Sequence, residues 1–194
     1  MMETKFTPEL VLAAYGAGIF PMGGDDGEIR WYSPDPRCII DLDNFHLSRR
    51  LARTCRQGVF EIRVNHDWDL VIRKCAARAD TWITEPIIDV YTHLHKSGFD
   101  HTVEAYKDGE LAGGLYGVAL GGAFFGESMF HEVTDASKVS LVYLVERMKQ
   151  RGFVLLDSQF MTKHLSRFSA INIPRHEYLR RLKFAAGLRH CKFD

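Results

Sequence analysis

The amino-acid sequence predicts an α+β domain on three observations. Between Thr102 and Met129 three extended runs follow one another through an Asp108-Gly109 turn and a Gly121-Gly122 turn, which makes an antiparallel meander. Segments with apolar residues at helical spacing stand on both sides of it. A fully apolar run, Phe153-Val154-Leu155-Leu156, follows the strongest of those helices as a buried strand. The 194 residues suit one medium domain, or one domain with a small appendage. With 46% hydrophobic and 26% charged residues the chain has the balance of an ordinary globular protein, not of a disordered or fibrous one.

The elements follow in order. Thr7-Pro8-Glu9 opens a short helix over 7–17, with Thr7 as N-cap, Pro8 at the first helical position, Leu10, Val11, Leu12 and Tyr15 as its apolar residues, and Gly16 or Gly18 at its end. Pro21, Pro34 and Pro36, with a Gly/Asp-rich turn at 23–27, then leave little room for long regular structure. Residues 1–35 read as a small N-terminal subdomain, and 36–194 as the main domain. A helix fits 45–57, with Leu47, Leu51 and Cys55 on one side and Arg49, Arg53 and Arg56 on another, a row of guanidinium groups. Val59 to Asn65 reads as a strand, His66 to Arg78 as a helix carrying Trp68, Val71, Ile72 and Cys75, and Pro86 to Lys96 as a helix carrying Ile87, Tyr91 and Leu94. After the meander, Thr134 or Asp135 caps a helix over 136–150 with Leu141, Val145 and Met148 inward and Gly152 at its end. Asp157-Ser158-Gln159 ends the apolar strand, and 160–169 and 174–183 read as helical.

Charge is uneven although 25 Lys and Arg balance 25 Asp and Glu. Arg49 to Arg78 holds eight basic residues against three acids, and Lys163 to Lys192 eight against Glu177 alone; Asp100 to Asp135 holds seven acids and only Lys107. Two basic stretches around an acidic middle point to a polyanion at one surface and a cationic or proton-handling partner at another. Four cysteines without a Cys-x-x-Cys pair exclude a disulfide framework and a zinc ribbon and fit a reducing cytoplasm. Met1 to Lys5 lacks the pattern of a secretory signal, and the longest uncharged run, Leu111 to Gly126, has 16 residues with six glycines, too short for a membrane span. The nine histidines show no metal-ligand spacing, so no metal site is expected.

Strand, two helices, antiparallel meander, helix, strand and helix is the element order of the mixed sheet of GCN5-related acyltransferases. Acetyl-CoA-dependent members need a glycine-rich loop ahead of the helix that follows the meander, where backbone N–H groups meet a pyrophosphate. Here that loop, Ser128 to Lys138, has no glycine and two acids before Asp135's helix, so coenzyme A is not the expected donor. Asp157 and Gln159 end a buried strand two residues apart, which by alternation sets a carboxylate beside an amide at a crevice, and Glu127 ends another strand facing the same opening. Trp82 stands in a loop ahead of a helix, within Thr81-Trp82-Ile83-Thr84, where a ring can stack on a base.

Gly18-Ile19-Phe20-Pro21, Trp31-Tyr32-Ser33-Pro34-Asp35-Pro36-Arg37, Phe45 to Arg50, Thr81-Trp82-Ile83-Thr84, Gly113 to Val118, Phe125 to Phe130 and Leu156-Asp157-Ser158-Gln159 resemble, in order and spacing over most of the chain, the bacterial leucyl/phenylalanyl-tRNA–protein transferases. The resemblance implies a transferase that moves Leu or Phe, with Met as a third donor residue, from aminoacyl-tRNA to the α-amine of proteins beginning with Arg or Lys, marking them for degradation through the N-degron pathway. It implies Leu-tRNA and Phe-tRNA as partners, no DNA, no membrane and no cofactor. Asp157 would orient and polarise Gln159, whose amide oxygen meets the attacking amine; Glu127 would hold the cationic N-terminal residue or amine. Trp82 would hold the terminal adenosine, with Leu115, Phe124, Met129, Leu141, Met148, Leu156 and Ser158 around the Leu or Phe side chain. Arg49, Arg50, Arg53 and Arg56 would meet acceptor-stem phosphates, where charge positions without reading bases. Met22 stands where many relatives carry a second tryptophan, and the chain begins close to the first family helix. Two other classes compete: a small-molecule N-acetyltransferase, which requires coenzyme A binding, and a noncatalytic tRNA-binding module, in which Asp157 is dispensable.

Overall fold

The computed structural model describes residues 6–24, 26–79 and 81–194; Met1 to Lys5, read above for a leader, lie outside them. The first helix, α1 (Pro8–Gly16), begins where its cap predicts, with Thr7 Oγ1 accepting the Leu10 N–H at 3.3 Å. The proline-punctuated segment after it folds more than expected. β1 (Phe20–Gly23) and β2 (Ile29–Tyr32) pair as a short hairpin, and β3 (Arg37–Ile40), four buried residues, enters the main sheet. Strands of four residues carry too little alternation to register as a pattern.

The middle follows expectation: α2 (Arg49–Arg56) capped by Ser48, β4 (Glu61–Val64), α3 (Trp68–Ala76) capped by Asp67, α4 (Glu85–Lys96), and the meander β5 (Asp100–Lys107), β6 (Glu110–Leu120) and β7 (Ala123–His131). α5 (Ala136–Gln150) is followed by β8 (Leu155–Gln159), which starts two residues late and runs on through Asp157. The stretch 160–169 is not the predicted helix. It is a loop with one 3-10 turn (Leu165–Phe168), and β9 (Ala170–Ile173) follows before α6 (Arg175–Ala186).

Seven strands form one mixed sheet in the order β4-β5-β6-β7-β8-β3-β9, antiparallel throughout except for β7 and β8. One face packs under α1, α3, α4 and α6, through Tyr15, Ile72, Tyr91, Tyr116, Phe125 and Tyr178; the other packs under α5 and α2, through Leu51, Leu115, Phe124, Leu141, Val145 and Leu156. Helices on both faces of a sheet that mixes a meander with one parallel pair make the predicted α+β fold, a mixed sheet with flanking helices. Only part of the acidic middle is surface, at Asp108, Glu110 and Glu132. Asp100, Glu104, Glu127 and Asp135 are buried, and Glu132 pairs with Lys74.

Candidate active site

β7 and β8 run parallel for three residue pairs, from Ala123 opposite Leu155 to Phe125 opposite Asp157. Beyond that point β7 continues to His131 paired with β6 alone, while β8 stays with β3. The two strands part, and a cleft of about 800 Å³ opens between them. Its wall is apolar, from Leu115, Met129, Leu141, Leu144 and Leu156; Lys74, Arg78 and Trp82 line it as well, together with Glu127, Asp157 and Gln159 where the strands part.

Both strands carry a β-bulge at the split. Tyr116 pairs with Ser128 and Gly117 with Gly126, so Glu127 is the extra residue of β7; Cys38 pairs with Gln159 and Ile39 with Asp157, so Ser158 is the extra residue of β8. Each bulge re-aims the side chains beside it. The first needs Gly117, where a Cβ would lie 2.2 Å from the Phe125 carbonyl oxygen. The second undoes the alternation expected of Asp157 and Gln159, and Gln159 ends the strand at φ 60°.

The Asp157 carboxylate is closed into a buried network. Arg37, 1% exposed, donates from Nε to Oδ1 at 2.9 Å and from Nη2 to Oδ2 at 2.6 Å, and from Nη1 to the Gly18 carbonyl at 3.1 Å. Tyr178 donates to Oδ2 at 2.6 Å, and the Arg37 guanidinium lies between the Phe20 and Tyr178 rings, 4.7 and 4.4 Å from their centroids. What Asp157 gives Gln159 is an acceptor for its main-chain N–H, at 2.9 Å, not a partner for its amide. The amide is held by Glu127: Gln159 Nε2 donates to Glu127 Oε1 at 2.8 Å, and Tyr15 OH donates to the same oxygen at 2.6 Å with Tyr91 OH 2.6 Å behind it. With its NH2 committed to a carboxylate, Gln159 presents its carbonyl oxygen as the open acceptor.

Burial pushes the Glu127 carboxyl up to about 8, against the hydrogen bonds from Tyr15 and Gln159 that oppose the rise. It is therefore largely protonated near neutral pH, and its Oε2 is buried without a partner. Asp100, behind it on β5, is fully buried with both carboxyl oxygens unpartnered, and burial followed by the nearby Glu127 charge raises it well above the usual carboxylate range. Burial likewise raises Tyr15, Tyr91 and Tyr116, so the hydroxyls around Glu127 stay protonated.

The structure brings Trp82, Leu115, Glu127, Met129, Leu141, Leu156, Asp157, Ser158 and Gln159 into one cleft. Phe124 and Met148 do not line it. Phe124 precedes the split, where β7 and β8 are still paired, and packs 5.1 Å from Phe193; Met148 lies two helical turns beyond Leu141, over the closed part of the sheet. Arg49, Arg50, Arg53 and Arg56 are exposed on α2 and outside the cleft lining. Sequence reading missed Arg37, Tyr15, Tyr91 and Tyr178. Arg37 closed a quoted motif and Tyr15 sat on the apolar side of α1, but neither signal names a partner more than a hundred residues away.

Comparison with known proteins gives the family of the chain. The family described as Leucyl/phenylalanyl-tRNA protein transferase matches residues 39–183, and the one described as its N-terminal domain matches residues 4–35. Relatives of the chain carry the name leucyl/phenylalanyl-tRNA–protein transferase. That of Gloeobacter violaceus is 54% identical over 193 residues, 99% of this chain and 100% of its own; that of Rubrobacter xylanophilus is 54% identical over 185 residues, 95% of this chain and 97% of its own. Among solved structures, L-PGS from Bacillus licheniformis is similar at a TM-score of 0.42 with 14% identity, over 81% of this chain and 55% of that one. The chain belongs to the leucyl/phenylalanyl-tRNA–protein transferase family and is an aminoacyltransferase.

Proposed function

We propose that this chain transfers Leu or Phe, with Met as a third donor residue, from aminoacyl-tRNA to the α-amine of proteins that begin with Arg or Lys, a step of the N-degron pathway. The observation that carries the reading is the cleft between β7 and β8: one apolar wall, one tryptophan, and an amide oxygen left open beside a buried carboxyl. The donor ester is already activated, so the chain must supply proximity, an acceptor for the amine and exclusion of water. The amine nitrogen attacks the ester carbonyl carbon. A C–N bond forms, the C–O bond to the ribose breaks, and the proton lost by the amine ends on the departing ribose oxygen.

In this reading Gln159 accepts an N–H of the amine and so aims its lone pair at the ester. Glu127 holds Gln159 in that orientation, and in its ionised form supplies the negative charge that attracts the cation of the arriving N-terminal residue. Asp157 fixes the main chain of Gln159 and acts through it, as a positioning residue. Leu115, Met129, Leu141 and Leu156 take the donor side chain beside Ser158, and Trp82 takes the terminal adenosine. An apolar pocket gains or loses only ~1–3 kcal/mol per methylene, so it discriminates weakly among large apolar donor side chains. Arg49, Arg50, Arg53 and Arg56 meet acceptor-stem phosphates. No helix among the described residues is long and apolar enough to cross a membrane, and all four cysteines are free, in keeping with a cytoplasmic reaction.

The test is transfer of labelled leucine from charged tRNA to peptides that differ only in a first residue of Arg, Lys or Ala, with uncharged tRNA as control. Label should enter the Arg and Lys peptides alone. Equal labelling of the Ala peptide would remove the assigned acceptor class, and no labelling of any peptide would remove the function.

A further inference from the structure

A second cavity, about 480 Å³, lies where the start of α2, the first turn of α5 and the loop before β9 meet. Its polar lining includes His46, Ser48, Arg50, Lys138, Ser166 and Arg167, and no acid lines it. The one acid beneath, Asp135, is shared: Arg50 and Lys138 both donate to it, and the Arg50 hydrogen bonds, first among the causes, hold its carboxyl far below the usual range. Two cations therefore face one carboxylate, while Arg167 is exposed and forms no ion pair with any described residue. The surplus reaches the neighbouring imidazole: burial first, then the Lys138, Arg167 and His131 charges, lowers the pKa of His164, whose buried Nε2 has no partner. Like charges gathered around hydroxyls without a matching acid make a concave site for an anion.

The position says which anion. Ser137 lines the first cleft and Lys138 the second cavity; His164 and Leu165 line the first, Ser166 and Arg167 the second. Consecutive residues on one helical turn and one loop thus line the two cavities, which adjoin there. A nucleoside esterified in the cleft carries its strand's next phosphates out of it, and the second cavity is a cationic site that adjoins the cleft. Resting on the function proposed above, we propose that this second cavity is a phosphate site that takes a phosphodiester of the donor's single-stranded 3′ end, with Arg167 and Lys138 as its cationic groups and His46 as a further polar contact.

The experiment compares two donors, leucyl-tRNA and leucyl-adenosine, which lacks phosphates, in native protein, Arg167→Gln, His46→Gln and the control Arg189→Gln, an exposed arginine outside both cavities. Arg167→Gln should raise KM for leucyl-tRNA about fivefold or more, flatten its salt dependence by roughly 0.7 in log–log slope, and leave kcat and the use of leucyl-adenosine unchanged. His46→Gln should act in the same direction, and Arg189→Gln should do nothing. Unaltered KM for leucyl-tRNA in Arg167→Gln, or an equal loss with both donors, overturns the site. If the native protein transfers from neither donor the functional reading fails instead, and the site is then decided by direct binding of a short oligonucleotide ending in CCA. Binding weaker in Arg167→Gln than in native protein and Arg189→Gln sustains the site, and equal binding overturns it.

Discussion

Arg37 and Arg53 are the same side chain in opposite circumstances. Arg37 is sealed under the split in the sheet, with its guanidinium committed to Asp157, a carbonyl, a tyrosine hydroxyl and two rings. Arg53 stands exposed on α2 and forms no ion pair with any described residue. Around the first, one geometry is specified by groups from the turn after α1, from β1, from β8 and from α6; around the second, charge is present and geometry is open. A bond-forming centre needs the first kind of region, because a small displacement there costs far more rate than binding energy. A polyanion surface needs only the second, because phosphate contacts are numerous and nearly interchangeable.

The largest expected effect follows from taking that contrast at its strongest point. Arg37→Ala leaves the Asp157 carboxylate buried without its counter-charge, and such a break costs about 3–5 kcal/mol. Urea denaturation should show that loss, with much of it recovered in the double variant Arg37→Ala, Asp157→Asn. An Arg37→Ala protein as stable as Arg53→Ala would erase the distinction between the two regions.

Next comes the amide. Gln159→Ala should lower the single-turnover rate about a hundredfold with the Kd for leucyl-tRNA unchanged, because the change removes positioning and leaves the charged surface intact. A variant that bound tRNA more weakly but reacted at the native rate once saturated would move Gln159 from the chemistry to the binding surface.

Much of the fold was legible because its signals are local. Thr7-Pro8, the two glycine turns of the meander and the α5 helix each depend on a few adjacent residues. β3 and β9 were not legible: each is four residues long, and their place beside β8 is decided by sheet order. The site divides in the same way. Glu127, Asp157 and Gln159 stood at the ends of readable strands, but their roles depend on bulges at Glu127 and Ser158, which alternation cannot show. That is why Asp157 was given the amide that Glu127 in fact holds. The acidic middle misled for a related reason, since composition counts charges without saying which are buried.

A third effect, smaller in free energy, uses pH to separate the regions. The Glu127 carboxyl is raised from an ordinary 4.5 to about 8, so between those values the native state holds a proton that the unfolded chain has released. Native stability therefore falls as pH rises through that window, and it is fully free of the penalty below 4.5. Glu127→Gln, which carries no such proton, should gain steadily on the native protein as the pH rises from 5 to 8, read by urea denaturation at each pH. Parallel stability curves for the two proteins would show that the carboxyl titrates like an exposed one, and the closed region would lose its electrostatic character.

The smallest effect lies on the open side. Arg53→Gln should weaken leucyl-tRNA binding about two- to threefold at low salt and hardly at all near 0.5 M, because an exposed phosphate contact works through counterion release and fades as ions screen it. Arg49→Gln and Arg56→Gln should behave alike, and their effects should add in log Kd because no described side chain bridges them. Fluorescence anisotropy across a salt series reads both features. If one of the three instead cost tenfold or more and kept that cost at high salt, that arginine would be held in a fixed geometry, and α2 would belong with the specified region around Arg37.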